Sequence, residues 1–464
     1  MDIDRALVSR ITERVLSELA IGDAPQAPGC GLGCFPDIPS AIQAAEVAFQ
    51  AFRAIGLERR TEIIQSLREG LRRHVEALAD QAVQETGMGR RDDKIKKNLL
   101  VINKTPGPEI LRAEAVSGQH GLSLEELAPY GVIGSITPCT NPSETVINNG
   151  IGMLSAGNAV VFNAHPAAKK TNAFTIDLMN RLLVAEGAPP NLLTCIAEPT
   201  IESAAELMQA RGIALLVVTG GPAVVKAAFA AGKKVIAAGP GNPPVVVDES
   251  ADLDQAGRGI VAGASFDNNI VCICEKEVIA VEAIADRLKA AMVAAGAYEL
   301  RGSEITAVEK LVVEGRHPHK AFVGKDASFI LRAAGLSVAG EPRLLFADVP
   351  FEHPFVQVEL LMPVIGFTRA RDVHEAIDLA LKAEHGFRHT ASMYSKNIDH
   401  LDKMARAVDC SIFIKNGPNY NGLGFEGPGS TSFTIASPTG EGLTNAVHFT
   451  RRRRCVLKDH FRIV

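Results

Sequence analysis

No apolar run in the chain approaches the ~18 residues a membrane span needs, and the first residues contain no secretory hydrophobic core. A membrane-embedded or secreted protein is therefore not expected, and the cytoplasm is the default. Charge of one sign is also lacking. The 464 residues carry 48 Lys and Arg against 53 Asp and Glu, a formal net charge of −5, which creates no general attraction for nucleic acid or an anionic membrane. Cysteine is sparse, with eight scattered residues, and a long chain of this kind without a signal peptide does not build a disulfide framework. Only Cys30/Cys34 and Cys272/Cys274 lie close together. Neither pair is completed by a second C-x-x-C or a spaced histidine pair, so no metal site is expected. No internal repeat of fixed period occurs, and no strand-like segment is followed by G-x-G-x-x-G, the usual dinucleotide fingerprint.

What is present is organised in blocks. Residues 1–20, "MDIDRALVSRITERVLSELA", place Leu7, Val8, Ile11, Val15 and Leu19 in one stripe at helical spacing. Residues 21–38 are rich in Gly and Pro and read as a linker. A short amphipathic helix on such a tether has no core of its own. It either docks back on its own body or enters another protein's groove. Ser40 can cap a helix through "AIQAAEVAFQAF", and "RRTEIIQSLREGLRRHVEALADQAVQET" continues helical to Gly87.

From Tyr130 onward, short β-rich runs that end in Gly or Pro alternate with helical patterns: "GVIGSITP", "GNAVVFNA", "IALLVVTG" and "KVIAAGPGNPPVVVD". Nearly continuous apolar strands separated by helices predict a parallel, doubly wound α/β sheet. A second α/β pattern runs from 251 to 429. The tail, "HFTRRRRCVLKDHFRIV", reads as a strand whose arginines lie on a solvated or subunit-facing edge. In "VVTGGPAVVKAA" a strand enters Gly220–Gly221 and Pro222 suits the first turn of a helix. That arrangement lets a ligand approach the backbone and favours phosphate at the helix N-terminus, although a Gly-Gly turn is more often purely structural.

The stretch "SFDNNIVCICEKEV" sets Cys272 one residue from Cys274 beyond an Asp-Asn-Asn turn. By themselves the two thiols are open to several readings: ligand fragment, redox pair, nucleophile with a bystander, or core residues. Taken with "GVIGSITPCTNPSETVINNGIGMLSAGNAVVFNAHPAAKK", "AAGPGNPP", "GFRHTASMYS" and "TSFTIASPTGEGLTNAVHFTRRRRCVL", the chain resembles the aldehyde dehydrogenase superfamily. Within it, the resemblance is to the coenzyme-A-acylating propionaldehyde and acetaldehyde dehydrogenases of bacterial microcompartments.

The resemblance implies an aldehyde dehydrogenase-like fold of two doubly wound α/β domains with a small β oligomerisation arm. It implies an NAD-binding domain over 39–250, with part of the arm near 112–130, a catalytic domain over 251–429, and a C-terminal oligomerisation segment over 430–464 in a homodimer or homotetramer. Cys272 takes the place of the nucleophile and Cys274 that of a bystander. His389 in "GFRHT" matches a histidine of the acylating branch, and imidazole has a pKa suited to proton transfer. Asn141 is the candidate amide for the oxyanion, with Thr140 as the alternative from an ungapped match. Glu359 matches the carboxylate that holds the nicotinamide ribose. Thr137, Pro138, Asn163, His165, Pro166, Gly220, Gly221 and Gly239 match the cofactor wall.

The implied activity is NAD-dependent oxidation of a short aliphatic aldehyde, propanal first and ethanal second, with transfer of the acyl group to coenzyme A. Hydrolytic relatives carry a glutamate where this chain has Ala238 or Gly239, so water should lack its general base. By resemblance, residues 1–20 address the protein to shell or cargo proteins of a microcompartment. A hydrolytic enzyme and an idle lumen scaffold are the competing readings.

Overall fold

The structure, a computed structural model, describes residues 31–463; the expected encapsulation helix over residues 1–20 lies outside the described residues. Two all-parallel sheets form the body. The first has the strand order Cys34–Phe35, Leu193–Ile196, Ala159–Ala164, Val132–Thr137, Ile213–Thr219, Val235–Ala238. The inner strands Leu193–Ile196, Ala159–Ala164 and Val132–Thr137 are buried along their whole length, as the unbroken apolar runs predict. From the central strand Val132–Thr137 the chain winds first to one side and then to the other. A topological switch point therefore opens between its C-terminal end and that of Ile213–Thr219, the place where such sheets take ligands.

The second sheet runs Ala297–Leu300, Leu344–Asp348, Val364–Ala370, Glu277–Val281, Pro244–Val247, Thr390–Tyr394, Ile412–Lys415. The third is antiparallel and pairs Glu114–Gly118 with Gly121–Pro129, and that strand with Thr450–Lys458. Arg452 and Arg454 of the arginine run meet Glu125 at 2.5 and 3.0 Å on an exposed face, where such pairs contribute little stability.

Three expectations are corrected. The linker does not extend to residue 38, because Cys34–Phe35 is a buried strand in register with Cys195–Ile196. The first helix begins at Ile38, capped by Asp37, whose carboxylate accepts from the Ser40 N–H at 2.8 Å; Pro39 fills the first turn, where a missing N–H costs nothing. The domain boundary falls within "GPGNPP" rather than at 250. Val235–Ala238 ends the first sheet, while Pro244–Val247 lies in the middle of the second. Gly239, Pro240, Gly241 and Pro243, which lie between the two strands, stop the first and free the chain to cross over. Nor does the C-terminal limit at 429 hold as a packing boundary: Tyr420 and Leu423 join Phe433, Ile435 and Phe449 in the first domain's core, and so do Phe266, Val271 and Ile273. The loop carrying Cys272 thus rests on the first domain.

Candidate active site

A cavity of about 540 Å³ lies where the C-terminal edge of the first sheet meets loops that enter the N-terminal edge of the second. From the first sheet come Thr137 and Pro138 at the end of the central strand, then Asn163, His165 and Pro166 after the next. Gly220, Gly221 and Gly239 complete that wall. From the second come Cys272, ahead of Glu277–Val281, and Glu359, ahead of Val364–Ala370. Asn141, at the N-terminal end of the buried helix Pro142–Ser155, reaches the same space, and so does Thr140. Eleven of the twelve expected site residues therefore line one cavity, whose wall mixes broad apolar surface with a few polar groups, as cofactor sites do. A second cavity of about 590 Å³, lined by Asp93, Arg258 and Arg343 among others, holds neither cysteine nor histidine.

His389 is the twelfth, and it stands one layer behind the wall. It is 1% exposed, its Nδ1 lies 2.8 Å from Thr390 Oγ1, and its Nε2 has no hydrogen-bond partner. Burial, then the Lys276 cation, depress it to about 4, so the ring is neutral at physiological pH. Its loop is held by Glu384, whose carboxylate accepts from the His389 N–H at 2.9 Å. His389 and Cys272 converge on Gly241. A Cβ there would lie 3.0 Å from His389 Cγ and 3.1 Å from the Cys272 carbonyl oxygen. Gly241 is a residue that sequence reasoning missed: "GPGNPP" reads as a turn, and nothing local shows that two loops close on it.

Three consecutive left-handed residues, Asp267, Asn268 and Asn269 (φ 45°, 53° and 64°), bend the chain ahead of Cys272. Asn and Asp tolerate this conformation best among side chains. The bend separates the two thiols. Cys272 is partly exposed and lines the cavity, whereas Cys274 is fully buried, with Sγ 3.7 Å from the Phe266 carbonyl. Burial, then Glu359, push the Cys272 thiol up to about 12 against the pull of Lys276 and Lys97. The resting thiol is therefore protonated, and its proton must leave as it attacks. Cys139 lines the cavity too, and burial raises its thiol as well.

Glu359 is the only carboxylate lining the cavity among the described residues. Burial pushes it up to about 7, against the pull of Lys276 and the Gly241 N–H. Lys276, held by the Asn269 carbonyl at 2.8 Å and its side-chain oxygen at 2.5 Å, is thus the cation that acts on the Cys272 thiol, the Glu359 carboxylate and the His389 imidazole together.

The wall suits a dinucleotide. The helix Pro222–Ala230 starts at the cavity, and a Cβ on Gly221 would meet no protein atom within 4 Å, so packing does not demand a glycine there. Its bareness leaves space for a phosphate at the helix N-terminus. Asn163 Oδ1 accepts from Ser203 Oγ at 2.7 Å, which leaves its amide N–H groups as donors. The Thr137 hydroxyl instead donates inward to Asn172 at 2.9 Å, so only its backbone and methyl remain for the wall.

Comparison with known proteins identifies the family and the fold. The aldehyde dehydrogenase family profile matches residues 35–306. The acetaldehyde dehydrogenase (acetylating) EutE of Escherichia coli (strain K12) is 46% identical over 464 residues, covering 98% of this chain and 99% of that protein. The crystal structure of Rhodopseudomonas palustris propionaldehyde dehydrogenase with bound propionyl-CoA superposes with a TM-score of 0.90 at 46% identity, covering 92% of this chain and 95% of the other. A propionaldehyde dehydrogenase from the Clostridium phytofermentans fucose utilisation bacterial microcompartment gives 0.92 at 45%, covering 93% and 100%. By its motifs, its two-sheet architecture and these matches, the chain belongs to the aldehyde dehydrogenase family.

Proposed function

We propose that the protein oxidises a short aliphatic aldehyde, propanal, with a nicotinamide dinucleotide and transfers the acyl group from Cys272 to coenzyme A. The observation that carries this is a cavity in which a thiol and a cofactor wall meet without a carboxylate at Ala238 or Gly239. The Cys272 sulfur adds to the aldehyde carbon, and its proton leaves toward neutral His389, whose Nε2 is free to accept. As the carbonyl oxygen gains charge, Asn141 Nδ2 donates to it, an interaction stronger in the transition state than in the ground state. Bound in the cavity, the nicotinamide supplies the hydride acceptor. Glu359 orients the ribose. The product is a thioester on Cys272, and attack by the coenzyme A thiol releases the acyl group and restores the cysteine.

The test removes coenzyme A. With cofactor and propanal alone, NADH should appear in a burst near one equivalent per active site and then almost stop, because the wall offers water no base at the position that hydrolytic relatives use. Sustained acid release at the rate seen with coenzyme A would establish a hydrolytic enzyme instead. Rates for ethanal, propanal and butanal with coenzyme A test the choice of aldehyde.

The protein acts inside a bacterial microcompartment on this reading, with residues 1–20 as its address. The support is the apolar stripe Leu7, Ile11 and Val15 on a Gly/Pro tether, together with the microcompartment origin of a structural relative. Deleting residues 1–20, or changing Leu7→Glu with Ile11→Glu, should leave catalysis intact and abolish co-purification with shells. A deleted enzyme that still enters shells, or that unfolds, would assign the helix to the enzyme's own fold.

A further inference from the structure

Four buried charged side chains lie beneath the site and belong to none of the steps above. Lys97, on the helix Arg91–Lys104, contacts Asp267 at 2.6 Å and Glu144 at 3.0 Å. Lys94, one turn earlier, meets Asp267 at 3.2 Å. All four side chains are fully shielded from solvent. Two cations and two carboxylates leave the group neutral, which an interior requires. Neutrality does not explain its position. Asp267 opens the left-handed bend that delivers Cys272, whereas Glu144 lies in the first turn of the helix that begins beside Asn141. Lys97 therefore ties the nucleophile's loop to the oxyanion donor's helix.

Lys97 also touches the donor itself. Its Nζ donates to Asn141 Oδ1 at 2.6 Å. An ammonium has no lone pair to offer, so it dictates which end of the amide faces it. Asn141 Nδ2 must then face the other way. There it donates to Thr140 Oγ1 at 3.1 Å and keeps one hydrogen without a protein acceptor among the described residues. Were the amide free to turn over, a carbonyl oxygen would face the developing oxyanion and repel it.

We propose that Lys97 is a positioning residue that locks the Asn141 amide with its N–H groups toward the reacting carbonyl. The inference rests on the reading of Asn141 as oxyanion donor and adds the group that makes that reading work. Its cation also favours the Cys272 thiolate, in the same sense.

The test is a double-mutant cycle on the full-length enzyme. Lys97→Met alone strands Glu144 and costs folding stability, so the working variant is Lys97→Met with Glu144→Gln, which leaves Lys94 and Asp267 as a neutral pair. Pre-steady-state NADH formation at saturating propanal reports the acylation step. Asn141→Ala should lower it by about 10²–10³-fold, as loss of one oxyanion donor does. The Lys97/Glu144 variant should lower it by about 10-fold or more with cofactor affinity unchanged, and by less than about 2-fold when Asn141 is already alanine. A purely structural role would instead lower the melting temperature and multiply the two losses. Such multiplication, or a folded Lys97/Glu144 variant with the parent rate, overturns the inference. If Asn141→Ala alone keeps the parent rate, the oxyanion reading fails first, and Lys97 loses its role with it.

Discussion

Cys272→Ala should abolish acyl-CoA formation, while Cys274→Ala should keep most of the activity. The two residues differ by one step in sequence and by their whole environment in space. Cys272 lines the cavity, and Cys274 is enclosed in the first domain's core with its sulfur near the Phe266 carbonyl. On the proposed mechanism alanine at 272 removes the atom that carries the acyl group, and with it the covalent step. Alanine at 274 removes one buried sulfur, a loss of packing that should cost about 1–2 kcal/mol of stability and little rate. Intact-mass and peptide mapping after reaction without coenzyme A should find one acyl group, on Cys272. An adduct on Cys274, or on Cys139 across the cavity, would sink the assignment.

The thiol's protonation sharpens this expectation. With Cys272 pushed up to about 12 by burial and Glu359, the resting residue is a protonated thiol near neutral pH. Attack therefore depends on removing the proton as the carbon–sulfur bond forms. Lys276 and Lys97 both pull the thiol down, and a positive nicotinamide brought into the cavity acts in the same sense.

His389→Ala should lower the acylation rate by about 10²-fold or more, the contribution of a positioned general base. On the proposed mechanism His389 is the neutral base, and it lies one layer behind the wall with Nδ1 against Thr390 and Nε2 unpaired. Because its ring is held at about 4 rather than the ordinary 6.5, the basic form persists as pH falls through 6. The rate should thus show no acid limb near 6.5 attributable to imidazole. The sign for stability follows. Between about 6.5 and 4 the unfolded chain binds a proton that the folded protein refuses, so stability drops as pH falls through that window. His389→Ala should remove that part of the acid sensitivity. A variant with near-parent rates across the pH range would reduce His389 to a packing residue.

Local pattern made much of this legible. Unbroken apolar strands such as "AVVFNA", separated by amphipathic helices, permit little besides a covered parallel sheet, whereas the strand-to-helix step at Gly220–Gly221–Pro222 reads more often as a purely structural turn, and only the structure puts it on the cavity wall. The cavity residues were legible through motif resemblance, since none of Asn163, Gly239 or Glu359 carries a functional signature alone. The misread boundary has a physical cause too. "KVIAAGPGNPPVVVD" is two strands of like composition, and sequence does not say that they belong to different sheets.

The sequence by itself determined the alternation of strands and helices, the order in which the site residues arrive, and the chemistry they can perform, because periodicity and residue type are local properties. Only the tertiary structure decided which thiol reaches the cavity, that His389 stands behind Gly241, and that Lys97 grips Asn141. These are contacts across 44 positions for Lys97 and Asn141, and 170 between Lys97 and Asp267. So are the depressed imidazole and the raised carboxyl, because a pKa is set by desolvation and by charges brought near in space. No pattern along the chain reports how deeply a residue will be buried or which distant charge will be folded against it.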